Sequence, residues 1–95
     1  MKSFRVLLTR AASKDLDRFP ASDRAQIAAD LDQLGTSPIG TPPRIKRLKG
    51  FGFHIYRLRC GDYRALYRID DRSVTVLRII QRKDLDRILR ALKRG

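Results

Sequence analysis

Arginine is what this chain concentrates where chemistry is possible. Arg57, Arg59, Arg64 and Arg68 fall in one run, Tyr56-Arg57-Leu58-Arg59-Cys60-Gly61-Asp62-Tyr63-Arg64-Ala65-Leu66-Tyr67-Arg68-Ile69-Asp70. Each guanidinium offers a planar fork of donors that fits phosphate oxygens, so closely spaced arginines on a rigid support suit a polyanion. A single such residue is commonly plain solvated surface; the information is in the group. Upstream, Arg44-Ile45-Lys46-Arg47-Leu48-Lys49-Gly50 adds a second basic run, followed by Phe51 and Phe53. Aromatics beside cations can stack on bases, although more often they fill a core edge. His54 is the one histidine and Cys60 the one cysteine. His54 could serve as a general acid or base, or simply close a strand edge. Cys60 has no partner for an internal disulfide, and one Cys with one His supplies too few zinc ligands. No metal or cofactor is expected.

Local structure must hold these groups in place. The arginine run reads as two β-strands around a tight turn at Cys60-Gly61-Asp62, where Gly61 can take positive φ. Alternation puts Tyr63, Ala65, Tyr67 and Ile69 on one face and Arg64, Leu66 and Arg68 on the other. On the preceding strand Arg57 and Arg59 share a face, opposite Tyr56 and Leu58.

The rest of the chain supports that hairpin. Phe4–Thr9 reads as a first strand with apolar residues on both faces, hence well covered. Thr9 caps a helix from about Arg10 to Phe19, which Pro20 ends. Ser22 or Asp23 caps the next, whose buried stripe is Ile27, Leu31 and Leu34, with Gly35 beyond its end. The two helices form a hairpin on one sheet face. A proline-rich connector, 36–43, leads into 44–50, either a short edge strand or a basic loop. Phe51-Gly52-Phe53-His54 opens the strand that continues to about Cys60. Val74–Ile80 is strongly β-branched and reads as a central strand. From Lys83 to Lys93 a helix places Leu85, Ile88, Leu89 and Leu92 on one face, and Lys83, Arg87, Arg90, Lys93 and Arg94 on the other. The order is β-α-α-β-β-β-α, an α+β fold: a small antiparallel sheet with a helical hairpin packed on one face and a C-terminal helix.

With 95 residues, one domain spanning 1–95 is expected. Twenty-two Lys and Arg against ten Asp and Glu give a net charge of +12, spread among apolar residues throughout. A folded basic surface follows, with nucleic acid or an acidic protein as counterpart. No apolar run reaches membrane-span length, and no helix pairs a basic face with large aromatic anchors, so membrane binding is not expected. The start, Met1-Lys2-Ser3-Phe4, lacks a secretory signal, which makes the cytoplasm the default location.

Element order and specific residues together resemble the RelE/ParE toxin superfamily of bacterial and archaeal toxin–antitoxin systems, closer to RelE. The carrying residues are Arg47-Leu48-Lys49-Gly50, then Tyr56 to Asp70, then Val76-Leu77-Arg78-Ile79-Ile80-Gln81-Arg82-Lys83-Asp84. The resemblance implies a ribosome-dependent mRNA endonuclease. In that chemistry the ribose 2′-oxygen attacks the adjacent phosphate and the 5′-oxygen leaves, without a metal. It carries catalytic roles to Arg64, Arg82 and Lys49, and charge stabilisation to Arg57, where some members have a lysine. The wider RNA-contacting set is then Lys46, Arg47, His54, Arg59, Arg68 and Arg78. Two departures stand out. Gln81 occupies the place of a histidine in many members, and the segment around Asp86 lacks their tyrosine. These motivate two other readings: a ParE-type inhibitor of DNA gyrase, or a non-catalytic module that binds operator DNA through its antitoxin. The partners implied are a cognate antitoxin, the ribosome with its mRNA, and operator DNA by way of the antitoxin complex. The resemblance further implies that the antitoxin wraps the toxin and masks or distorts the basic face, often displacing the C-terminal helix.

Overall fold

A computed structural model describes residues 3–51 and 54–94. Phe53, a stacking candidate, lies outside them. The elements are β1 (Arg5–Leu8), α1 (Arg10–Asp17), α2 (Ala21–Gln33), β2 (Ile45–Leu48), β3 (Ile55–Cys60), β4 (Tyr63–Ile69), β5 (Ser73–Gln81), a 3-10 turn (Arg82–Asp84) and α3 (Leu85–Arg94). The basic run thus supplies an edge strand rather than a loop, and β3 begins after His54.

The five strands are ordered β1-β5-β4-β3-β2. From β2 to β5 each strand is antiparallel to its sequence neighbour, the meander that short turns dictate. β1 instead lies parallel to β5. Alternation gives the face of a residue but not the direction of a distant partner, so this one parallel pairing was not legible in advance.

Thr9 caps α1 as expected: its Oγ1 accepts the Ala12 N–H at 3.1 Å and donates to the Leu77 carbonyl at 2.9 Å. The cap therefore also ties the helix to β5. α2 starts differently, with Pro20 at the N-cap and no side-chain cap. Asp23, one turn in, accepts the Tyr63 hydroxyl at 2.7 Å instead. At the far end the Gly35 carbonyl accepts from Ser3 and Phe4 N–H, both at 3.0 Å, which anchors the start of β1.

The sheet is covered on both sides. Ile27, Leu31 and Leu34 of the hairpin meet Leu58, Ala65, Tyr67, Val74 and Val76 in the larger core. Ile88, flanked by Leu85, Leu89 and Leu92, meets Ile55, Leu66 and Ile80 on the opposite face. α3 thus shares the face that alternation assigns to Arg57, Arg59 and Arg64. β1 is less covered than its apolar residues suggested. It is an edge strand, and Leu7 and Leu8 remain 41% and 36% exposed.

Candidate nucleic-acid interface

The β3–β4 turn sets the position of the central arginine. Gly61 adopts φ +59°, in the region where an L side chain is strained. Arg64 Nη1 donates to the Gly61 and Tyr63 carbonyls at 2.7 and 2.8 Å. The guanidinium is folded onto its own turn, and Arg64 is only 8% exposed. Burial, then the charges of Arg57, Arg59 and Arg82, push its pKa down from the ordinary value. Arg57, Arg59 and Arg82 are therefore each near enough to act on Arg64.

Strand register explains the crowding. Arg59 stands directly opposite Arg64, and Arg57 directly opposite Lys46. Like charges facing each other across a ladder destabilise a sheet by about 0.2–1 kcal/mol each. Among the described residues, no carboxylate forms a salt bridge with any of these four or with Arg82. Arg57 adds a further cost. Its Nη2 donates to the Pro43 carbonyl at 3.0 Å, while its buried Nε has no hydrogen-bond partner among the described residues. An unneutralised cluster with an unused donor has the charge and the free hydrogen-bonding capacity to take an anion, at the expense of stability.

The other expected residues lie elsewhere. Lys49 follows the Leu48–Ile55 rung and His54 precedes it. Both are therefore about 17 Å along the strands from the Arg59–Arg64 rung, at ~3.3 Å per residue. His54 Nε2 is 3.1 Å from Arg47 Nη2; arginine can only donate, so Nε2 is the acceptor. The register does not put His54 or Lys49 beside Arg64. Arg68 is exposed, with its Nε 3.5 Å from Asp70 Oδ2.

Arg78 is engaged within the protein. Its Nε and Nη2 donate to Asp15 Oδ2 and Oδ1 at 2.7 and 3.0 Å, and the Ile79 N–H also donates to Oδ2 at 3.0 Å. β1 ends opposite Val76. Beyond that point Asp15, 6% exposed, replaces the missing strand by capping the bare β5 edge. The carboxylate raises the pKa of Arg78, so this charge is neutralised internally.

Two residues absent from the expected set complete a second cationic feature. A cleft of about 640 Å³ opens between β2 and α3, with Lys46, Lys49 and Phe51 on one side and Asp86, Arg90 and Lys93 on the other. Lys93 Nζ sits 5.6 Å from the centre of the Phe51 ring. The basic face of α3 was visible from helical periodicity; what it faces was not.

The profile of the family described as ParE toxin of type II toxin-antitoxin system, parDE, matches residues 6–91. The chain belongs to the ParE toxin family. Its fold is that of the RelE/ParE superfamily. The toxin resembles the archaeal RelE–RelB complex from Pyrococcus horikoshii at 26% identity over 84% of this chain and 96% of that one, with a TM-score of 0.72. It resembles the toxin–antitoxin complex RelBE2 from Mycobacterium tuberculosis at 29% identity over 83% and 98%, with a TM-score of 0.69. The YoeB/ParE toxin from Agrobacterium tumefaciens shares the fold, at 16% identity over 82% and 98% and a TM-score of 0.65. No curated protein matches this ParE-family toxin in sequence. Among its described residues, no helix is long and apolar enough to cross a membrane.

Proposed function

We propose that this type II toxin is a ribosome-dependent mRNA endonuclease whose catalytic surface is the Arg57, Arg59, Arg64 and Arg82 cluster. The observation that carries the reading is the pair of adjacent like-charge rungs, Lys46–Arg57 and Arg59–Arg64, left on one face without carboxylate salt-bridge partners among the described residues. In the reaction the ribose 2′-oxygen attacks the neighbouring phosphorus and the bond to the 5′-oxygen breaks. The products are a 2′,3′-cyclic phosphate and a 5′-hydroxyl. Charge grows on the phosphoryl oxygens along the way, and the guanidinium groups of Arg64, Arg82 and Arg57 stabilise it. Arginine neither accepts nor releases a proton at neutral pH, so the 2′-hydroxyl proton and the one reaching the 5′-oxygen move through other groups. The contribution of this cluster is electrostatic. Lys49, about 17 Å along the strands, contacts substrate away from the scissile phosphate.

Purified toxin added to translating ribosomes should cut mRNA in the A site, and Arg64→Ala or Arg82→Ala should slow cleavage by about a hundredfold or more. Absence of cleavage across varied codons would overturn the reading. The cognate antitoxin is proposed as an acidic protein that covers this cationic face; RelB-containing complexes among the solved relatives support that pairing. A ParE-type action on DNA gyrase is favoured by one observation, Gln81 and Asp86 standing where ribonuclease members carry histidine and tyrosine. Unchanged supercoiling with excess toxin would exclude it.

A further inference from the structure

We propose that the cleft between α3 and the β2 edge is an RNA subsite that seats a nucleotide a few positions from the scissile phosphate, with its base stacked on Phe51. The inference rests on the reading that the arginine face binds RNA, and it names what lies next along the strand. Lys46 belongs to both features: it faces Arg57 across the ladder and also lines the cleft. From there the cations continue through Lys49, Arg90 and Lys93, with Asp86 the one carboxylate among the described lining residues. Strand register thus leads from the Arg59–Arg64 rung through the Arg57–Lys46 rung into the cleft.

Around Phe51 the lining changes character. Phe51 is half-buried against the core of Ile55, Leu66, Ile80 and Ile88, and Lys93 stands over its ring. Gly50, at φ +91°, lets the loop approach Lys93 so closely that an added Cβ would come within 2.9 Å of Nζ. A cation over an aromatic face leaves it readily when a base brings both a stacking surface and a phosphate. Lys93 moves from the ring to the phosphate, and the base takes its place. Stacking tolerates any base, so the subsite sets the reading frame of the strand rather than a strict sequence.

The test uses the full chain and an uncleavable 2′-O-methyl hexaribonucleotide, read by fluorescence anisotropy beside the same backbone without bases. Phe51→Leu keeps apolar bulk and removes the ring face. It should weaken the hexamer about five- to hundredfold and leave the abasic strand unaffected. Lys49→Gln with Lys93→Gln should weaken both strands and flatten the salt dependence. Asp86→Asn should tighten both. The proposal is overturned if Phe51→Leu binds the hexamer like wild type, if both strands lose equally, or if an Asp/Glu-rich peptide binds with the same dependence on Phe51. Loss with Arg64→Ala but not with Phe51→Leu would sink the subsite and spare the arginine face. Phe51-dependent binding without ribosomal cleavage would support the subsite and sink the nuclease.

Discussion

If the arginine face is maintained for a ligand, weakening it should stabilise the free protein. Arg59→Gln is the cleanest perturbation. It removes one charge of the Arg59–Arg64 rung and keeps much of the side-chain stem. A like-charge pair across a ladder costs about 0.2–1 kcal/mol. Arg59 is exposed, so water screens it and the lower half of that range applies, about 0.5 kcal/mol. The term does not vanish, because Arg64 is pinned to the Gly61 and Tyr63 carbonyls and cannot swing away. For a chain of 95 residues 1 kcal/mol moves the melting temperature by about 4–8 °C, so the variant should melt ~2–4 °C higher. The measurement is thermal unfolding by circular dichroism at low salt and at ~1 M NaCl, where the screening length shrinks to about 3 Å and the gain should disappear. The same variant should bind RNA less tightly. A lower melting temperature at low salt, or a gain that salt does not change, would refute the argument that this rung is a strained functional pair.

Other expectations test the scaffold. Asp15→Ala strips partners from Arg78 and from the Ile79 N–H. Breaking a buried pair costs about 3–5 kcal/mol, and the partial exposure of Arg78 favours the lower end. The urea midpoint should fall by roughly 2 M, given a slope of ~1.5 kcal/mol/M; a fall under about 0.5 M would show that Asp15 does not hold the β5 edge. Gly61→Ala meets no atom within 4 Å of its new Cβ, so its cost is the left-handed backbone alone, about 1–2 kcal/mol. Gly61→Asn should lose less, and equal losses would point away from φ. Burial, with the nearby Asp30 charge, pushes the Cys60 thiol up to about 12. The folded state therefore holds this proton more tightly than the unfolded chain. The resulting stability is fully present below about pH 8.5 and is lost as pH rises from there towards 12. Cys60→Ala should flatten that part of the stability profile, and wild-type Cys60 should resist alkylation at pH 8 until unfolded.

Much of the architecture was legible because it follows from local covalent geometry. Alternation sorted Tyr56, Leu58, Tyr63 and Tyr67 from Arg57, Arg59 and Arg64, since successive strand side chains must point to opposite faces. Gly61 marked the turn, Thr9 the helix start, and Leu85, Ile88, Leu89 and Leu92 the stripe that α3 buries. Tertiary structure decided what stands opposite what. Lys49 sits near the arginine hairpin in sequence, yet register carries it about 17 Å along the ladder from Arg64. Arg78 had the composition of an RNA contact, but β1 stops at Leu8 and Asp15, 63 residues away, claims its guanidinium. Arg90 and Lys93 became part of a cleft only because α3 crosses the arginine-bearing face. A residue's type and its immediate neighbours set its chemistry and its face. Its partners depend on where strands end and which face a helix covers, and long-range packing settles both.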